Sequence, residues 1–218
     1  MEETKPLLIL TTIEQRILGV LIEKSKTTPD YYPMTINSIT IACNQKTSRN
    51  PVVNYDEETV TLTLNALKIK GLVGTATGAG SRSIKYKHNL AIVYPLLPAE
   101  LTILCLLLLR GPLTPGEINT NSGRMYEFET IEEIQEILQK LSADEPPYLK
   151  QLSKRPGQKE ARYMQLFGGE TEAETQETEN LPTTAAEHRN YEELEERVVK
   201  LEQELEELKE LVNLLMDK

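Results

Sequence analysis

Ten of the 19 lysines and arginines in residues 1–168 fall in three short stretches. Lys46 and Arg49 form the first. Arg82, Lys85 and Lys87, with no acid between them, form the second. Lys150, Lys154, Arg155, Lys159 and Arg162 form the third, opposed by Glu160 alone. Clustered bases of this kind can neutralise phosphates and position a nucleic-acid backbone. The competing explanation is that exposed hairpins carry bases for solubility and to guard their open edges. Lys46 and Arg49 belong to Asn44–Pro51, the densest polar string in the chain. Such a string either touches a ligand or bonds to itself.

Other chemistry is poorly served. There are 2 histidines, His88 and His188, too few for a metal cluster or a histidine-based triad. Cys43 and Cys105 sit in apolar helical patterns and read as buried free thiols. Gly78-Ala79-Gly80-Ser81-Arg82 lacks the lysine and following helix of a phosphate loop, so it reads as a hairpin turn. No enzymatic activity, cofactor or metal is expected.

The elements that must position the bases come in a repeated order. Thr11 or Thr12 caps a helix with Ile13, Ile17, Leu18, Leu21 and Ile22 at helical spacing. A short helix follows over Thr35–Asn44. Asp56 caps a third helix that Gly71 stops, and strands Leu72–Ala76 and Ser83–His88 form a hairpin. Ala99–Leu109 matches Ile13–Glu23 at an offset of 86, aligning Glu14 with Glu100 and Leu21 with Leu107. Thr114–Ile118 opens a second short helix. Thr130 and Glu133 form a capping box for a third, and strands Tyr148–Leu152 and Arg162–Phe167 follow. Three helices and a two-stranded hairpin make a winged helix-turn-helix. The expected fold is mainly α with small β-hairpin wings (α+β). Its domains are two tandem winged helices over residues 8–94 and 95–168. Leu101–Leu109, apolar nearly all round, is expected to pack between them or across a dimer. Met125, Tyr126 and Phe128 are expected to close the second core, with Arg124 paired to Glu127.

The tail differs in composition. Net charge is −10, and residues 169–218 alone carry 16 acids against 5 bases. Residues 169–190 have too few apolar groups to offset chain entropy and are expected to be a disordered acidic linker. From Tyr191, the residues Leu194, Val198, Leu201, Leu205, Leu208, Val212 and Leu215 continue in unbroken 3,4 spacing. That predicts a coiled coil over residues 191–217. Valine at two a positions, leucine at every d position, and the pairs Arg197–Glu202′ and Glu204–Lys209′ favour a parallel homodimer. The N-terminus MEETKPLLIL carries no secretory pattern, and Leu101–Leu109 is too short to span a bilayer. A cytoplasmic protein without a membrane partner is expected.

Several strings resemble those of the YceH family of bacterial tandem winged-helix proteins. They include Glu23-Lys24, Tyr32-Pro33, Ala42 through Val52, Leu107-Leu108-Leu109-Arg110-Gly111, Thr114-Pro115-Gly116-Glu117, Arg124 through Phe128, and Arg162-Tyr163-Met164. The resemblance covers about residues 8–168. It implies the fold and a bacterial cytoplasmic setting, and it brings no reaction or cofactor.

Two functions are expected from these features. The first is a DNA-associated or regulatory dimer whose phosphate contacts are Lys46, Arg49, Arg82, Lys85 and Lys87, with Lys154, Arg155 and Lys159 in the second wing. The third helices present Glu57, Glu58, Glu132, Glu133 and Glu136, so groove reading by them is disfavoured. The alternative is a scaffold that holds a protein partner, by analogy with the winged-helix subunit of bacterial condensin.

Overall fold

A computed structural model of the chain describes residues 6–76, 83–154 and 160–169. The expected linker beyond Gly169, the coiled-coil seam from Tyr191 to Leu215, the turn Gly78–Gly80, Arg82, Arg155 and Lys159 lie outside the described residues.

The described residues are mostly helical with two small antiparallel hairpins. Helices α1 (Thr12–Thr27), α2 (Ile36–Cys43) and α3 (Glu57–Ile69) precede strands β1 (Val73–Ala76) and β2 (Lys85–His88). A single turn, α4 (Leu90–Val93), leads to α5 (Pro98–Arg110), α6 (Pro115–Ser122) and α7 (Ile131–Ala143). Strands β3 (Leu149–Gln151) and β4 (Tyr163–Gln165) close the described residues. Each hairpin gains a one-residue bridge from the turn before a short helix, Met34 to Tyr86 and Leu113 to Tyr163. The order and the bridges are winged-helix-like in both halves.

Local chemistry explains the starts. Thr11 and Glu14 form a capping box on α1, and Thr114 and Glu117 form one on α6. Asp56 caps α3 by accepting from Thr59 N at 2.7 Å. At α7, Thr130 accepts from Glu133 N, but the Glu133 carboxylate turns to Glu129 N at 3.0 Å. The expected capping box there is thus half formed. Gly71 adopts φ +76°, a backbone that glycine reaches without steric cost, just after α3 ends.

The halves share one continuous hydrophobic core running from Leu10 to Phe167, and all described residues lie in one compact unit. Its centre is α1 against α5. α1 is buried from Glu14 to Ile22 and α5 from Ala99 to Leu109. The apolar-all-round helix therefore packs between the halves. Gly19 makes the approach possible, because a Cβ there would stand 2.9 Å from Leu109 Cγ and 3.2 Å from Leu108 Cβ. Cys105, its equivalent at the offset of 86, donates to Gly19 O at 3.3 Å. The symmetry extends to charge. Buried Glu14 accepts from Thr11 N at 2.8 Å and Lys70 Nζ at 2.7 Å. Buried Glu100 accepts from Leu97 N at 2.7 Å and Lys140 Nζ at 2.6 Å.

Replacing Gly19 with Val should overpack this contact and lower unfolding stability by roughly 1–3 kcal/mol, read by urea denaturation. A loss below about 0.5 kcal/mol, the range of neutral surface changes, would show that the helices are not held at this distance by Gly19.

Candidate functional site

The loop between α2 and α3 is held from within. The Asn44 side chain donates to Tyr55 O and accepts from Tyr55 N, both at 2.8 Å, which closes the loop across its base. Buried Arg16 donates from α1 to Cys43 O at 3.2 Å and Pro51 O at 2.6 Å. Asn50 N donates to Leu109 O at 2.9 Å, docking the loop on the end of α5.

Arg49 turns inward, which corrects its expected role as a phosphate contact. Its side chain is fully buried. All five guanidinium N–H groups are used. Nε donates to Ala42 O, one terminal nitrogen to Ser48 O and Glu23 Oε1, and the other to Gln45 Oε1 and Glu23 Oε2. The pair with Glu23 is bidentate, at 2.6 and 3.1 Å. No donor remains for a ligand. Burial alone would raise the Glu23 pKa, but the hydrogen bond and charge of Arg49, with Lys24, outweigh it and hold the carboxyl below its ordinary value.

With Arg49 and Asn44 turned in, Lys46, Thr47 and Ser48 are left exposed at the loop tip. Ser48 sits at φ +61°, a left-handed conformation that costs a non-glycine residue about 1 kcal/mol or more. Arg49 bonds back to its carbonyl oxygen at 2.8 Å.

The loop tip forms one wall of a cleft of about 560 Å³ between the halves. The last turn of α1 supplies Lys24, the end of α5 supplies Arg110, and the loop after α6 supplies Arg124. Lys24 and Arg110 are repeat equivalents at the offset of 86. Lys46 and Arg124 come from the corresponding loops of the two halves. Lys46, Arg110 and Arg124 have neither an ion pair nor a side-chain hydrogen bond among the described residues, so the expected Arg124–Glu127 pair is not formed. Burial, and then the charge of Arg49, lower the Arg110 pKa against the opposing pull of Glu23. Met125 and Tyr126 pack against the core and Phe128 is buried, as expected.

Of the other expected contacts, Lys87 and Lys154 are exposed and Lys85 is half-buried. The cleft that holds Lys46 contains none of these three. Lys24, Arg110 and Arg124 were not among the expected contacts. Two of them look like ordinary bases that complement a helix C-terminus. The signal that finds them is the repeat, which brings the ends of its equivalent helices together. The thiols are not nucleophiles at neutral pH. Burial pushes Cys43 up to about 12 and Cys105 higher still. Burial, then Lys26, pushes His88 down to about 4.

A family model described as "Protein of unknown function, DUF480" matches residues 10–158. The chain belongs to the DUF480 family. Among its relatives, a UPF0502 protein of Shewanella piezotolerans is 44% identical over 96% of this chain and 98% of the relative. A UPF0502 protein of Opitutus terrae is 45% identical over 76% of this chain and 72% of the relative. The DUF480 match spans all four cleft bases and the α1–α5 contact. No helix among the described residues is long and apolar enough to cross a membrane.

Arg49→Ala should destabilise the protein by up to roughly 3–5 kcal/mol, because it leaves Glu23 with Lys24 alone, at 3.2 Å, and removes the donor to Ala42 O and Ser48 O. Arg49→Ala combined with Glu23→Gln should recover about 1–2 kcal/mol of that loss. The Glu23 contribution is fully present above the ordinary carboxylate pKa and fades as pH falls through the lowered folded value. Glu23→Gln should therefore flatten the acid side of the stability profile. Additive single losses in urea denaturation would show that the pair is not coupled.

Proposed function

We propose that this DUF480 protein is a non-enzymatic, DNA-associated regulatory factor built from two tandem winged-helix domains. In this reading it works in the cytoplasm as a coiled-coil dimer, and DUF480 corresponds to the YceH family its strings resemble. Dimerisation would raise the effective concentration of the second copy's weak contacts.

One observation carries the reading. Lys46 is presented at an exposed loop tip that the buried Arg16 and Arg49 hydrogen bonds hold in place, so little backbone entropy is lost when it meets a phosphate. Lys85 and Lys87 on β2 offer further bases, while the third helices expose Glu57, Glu58, Glu132 and Glu136. Phosphate would approach by loop and wing, away from those acids.

A second reading, a scaffold for a protein partner, is favoured by exposed apolar side chains on α2 and α3. Ile41, Leu62 and Ile69 are 62%, 64% and 89% exposed. Contact through such residues would be nearly indifferent to salt.

Fluorescence anisotropy with duplex DNA at 50 and 200 mM salt separates the two. On the DNA reading, binding weakens steeply with salt, and the Lys46→Ala, Lys85→Ala, Lys87→Ala variant loses affinity and up to about 0.9 of log–log salt slope per contact. Absence of DNA binding at either salt would contradict that reading and turn attention to the α2–α3 surface.

A further inference from the structure

We propose that the cleft between the two halves binds a small polyphosphorylated ligand of the nucleoside di- or triphosphate type. The inference rests on the cleft alone, not on DNA binding.

Charge is the first argument. Lys24, Lys46, Arg110 and Arg124 face one volume. The acid on its wall, Glu23, is held by both terminal nitrogens of Arg49 and shared with Lys24, whose Nζ lies 3.2 Å from Oε2. Helices α1 and α5 both end here, and each end contributes about half a negative charge. That offsets about one of the four cations. The terminal carbonyls are also engaged without them. Lys24 O accepts from Thr28 N, Leu109 O from Asn50 N, and Arg110 O from the Asn50 side chain. The bases make no hydrogen bond to these carbonyls. Lys46, Arg110 and Arg124 have no side-chain partner among the described residues, and an anion would offset their charge.

Shape is the second argument. About 560 Å³ falls in the range of small-ligand sites, roughly 300–1,000 Å³. A duplex is a convex rod and would reach the rim at Lys46, not the buried floor at Leu106 and Leu109. Half-buried Met125 beside that floor offers apolar surface for a ring. Gln45 and Asn121 on the walls supply both donors and acceptors for its edge. The left-handed Ser48 borders the same space, and strain of this kind gathers at ligand sites. Because the bases come from both halves, the ligand would bridge them.

Isothermal titration of the full chain with ATP, tripolyphosphate and adenosine, without DNA, tests this. Saturable binding of ATP and tripolyphosphate is expected, with none for adenosine. Tighter ATP than tripolyphosphate assigns the floor to the base, and equal affinities assign recognition to the phosphate chain; both support the site. The Arg110→Ala, Arg124→Ala variant should bind at least about tenfold more weakly. Lys68→Ala, which removes a base outside the cleft, should bind as the parent does. Should the double variant unfold, Lys46→Ala at the exposed tip replaces it, with the same direction expected. No saturable heat with either anion at about millimolar concentration, or affinity indifferent to these substitutions, would overturn the proposal. Loss of DNA binding in the separate anisotropy experiment would leave it standing.

Discussion

Much of this structure depends on α1 and α5 lying in direct contact at Gly19. A hydrogen atom stands where a side chain would collide with Leu108 and Leu109, so the two helices approach backbone to side chain. Each helix thereby buries residues on sides that a lone winged helix would leave to solvent. Nine consecutive residues of α1 and eleven of α5 are buried. Adding even one methyl-sized group at such a contact forces a shift, because interiors are packed to near-crystalline density. The core that results is continuous across both halves, and the Glu14–Lys70 and Glu100–Lys140 pairs, each with a buried carboxylate, flank it in matching positions.

The cleft follows from the same contact. Packing repeat-equivalent helices together brings their equivalent C-terminal bases, Lys24 and Arg110, to one place, and the loops that follow α2 and α6 bring Lys46 and Arg124 beside them. One winged helix would carry half of this set. The Glu23–Arg49 pair then has two consequences. It fixes the loop that presents Lys46, and it commits the cleft's acid to Arg49 and Lys24, leaving Lys46, Arg110 and Arg124 without a side-chain partner among the described residues.

The fold was legible where local chemistry decides it. Thr11 with Glu14, Thr114 with Glu117, Asp56 and Gly71 mark boundaries through hydrogen bonds made within four residues. The offset of 86 between α1 and α5 was visible, and so was the unusual apolarity of Leu101–Leu109. The one-turn α4 was missed, being too short to show a period. The site was less legible because its decisive contacts are long-range. Arg49 and Lys46 are both bases in one polar string, yet Arg49 meets Glu23 from 26 residues away and is buried, while Lys46 is not. Arg124 and Glu127 are spaced for a local pair that the cleft geometry does not make. Residue type gives charge; only the packing gives its direction.

The α1–α5 contact should join the two winged-helix-like halves into one cooperative body. Native-state hydrogen exchange of the full chain tests it most directly. Core amides of α3 and of α7, one from each half, should exchange with the same opening free energy, within about 1 kcal/mol, set by global unfolding. Two distinct plateaus, with one half opening while the other stays protected, would contradict it.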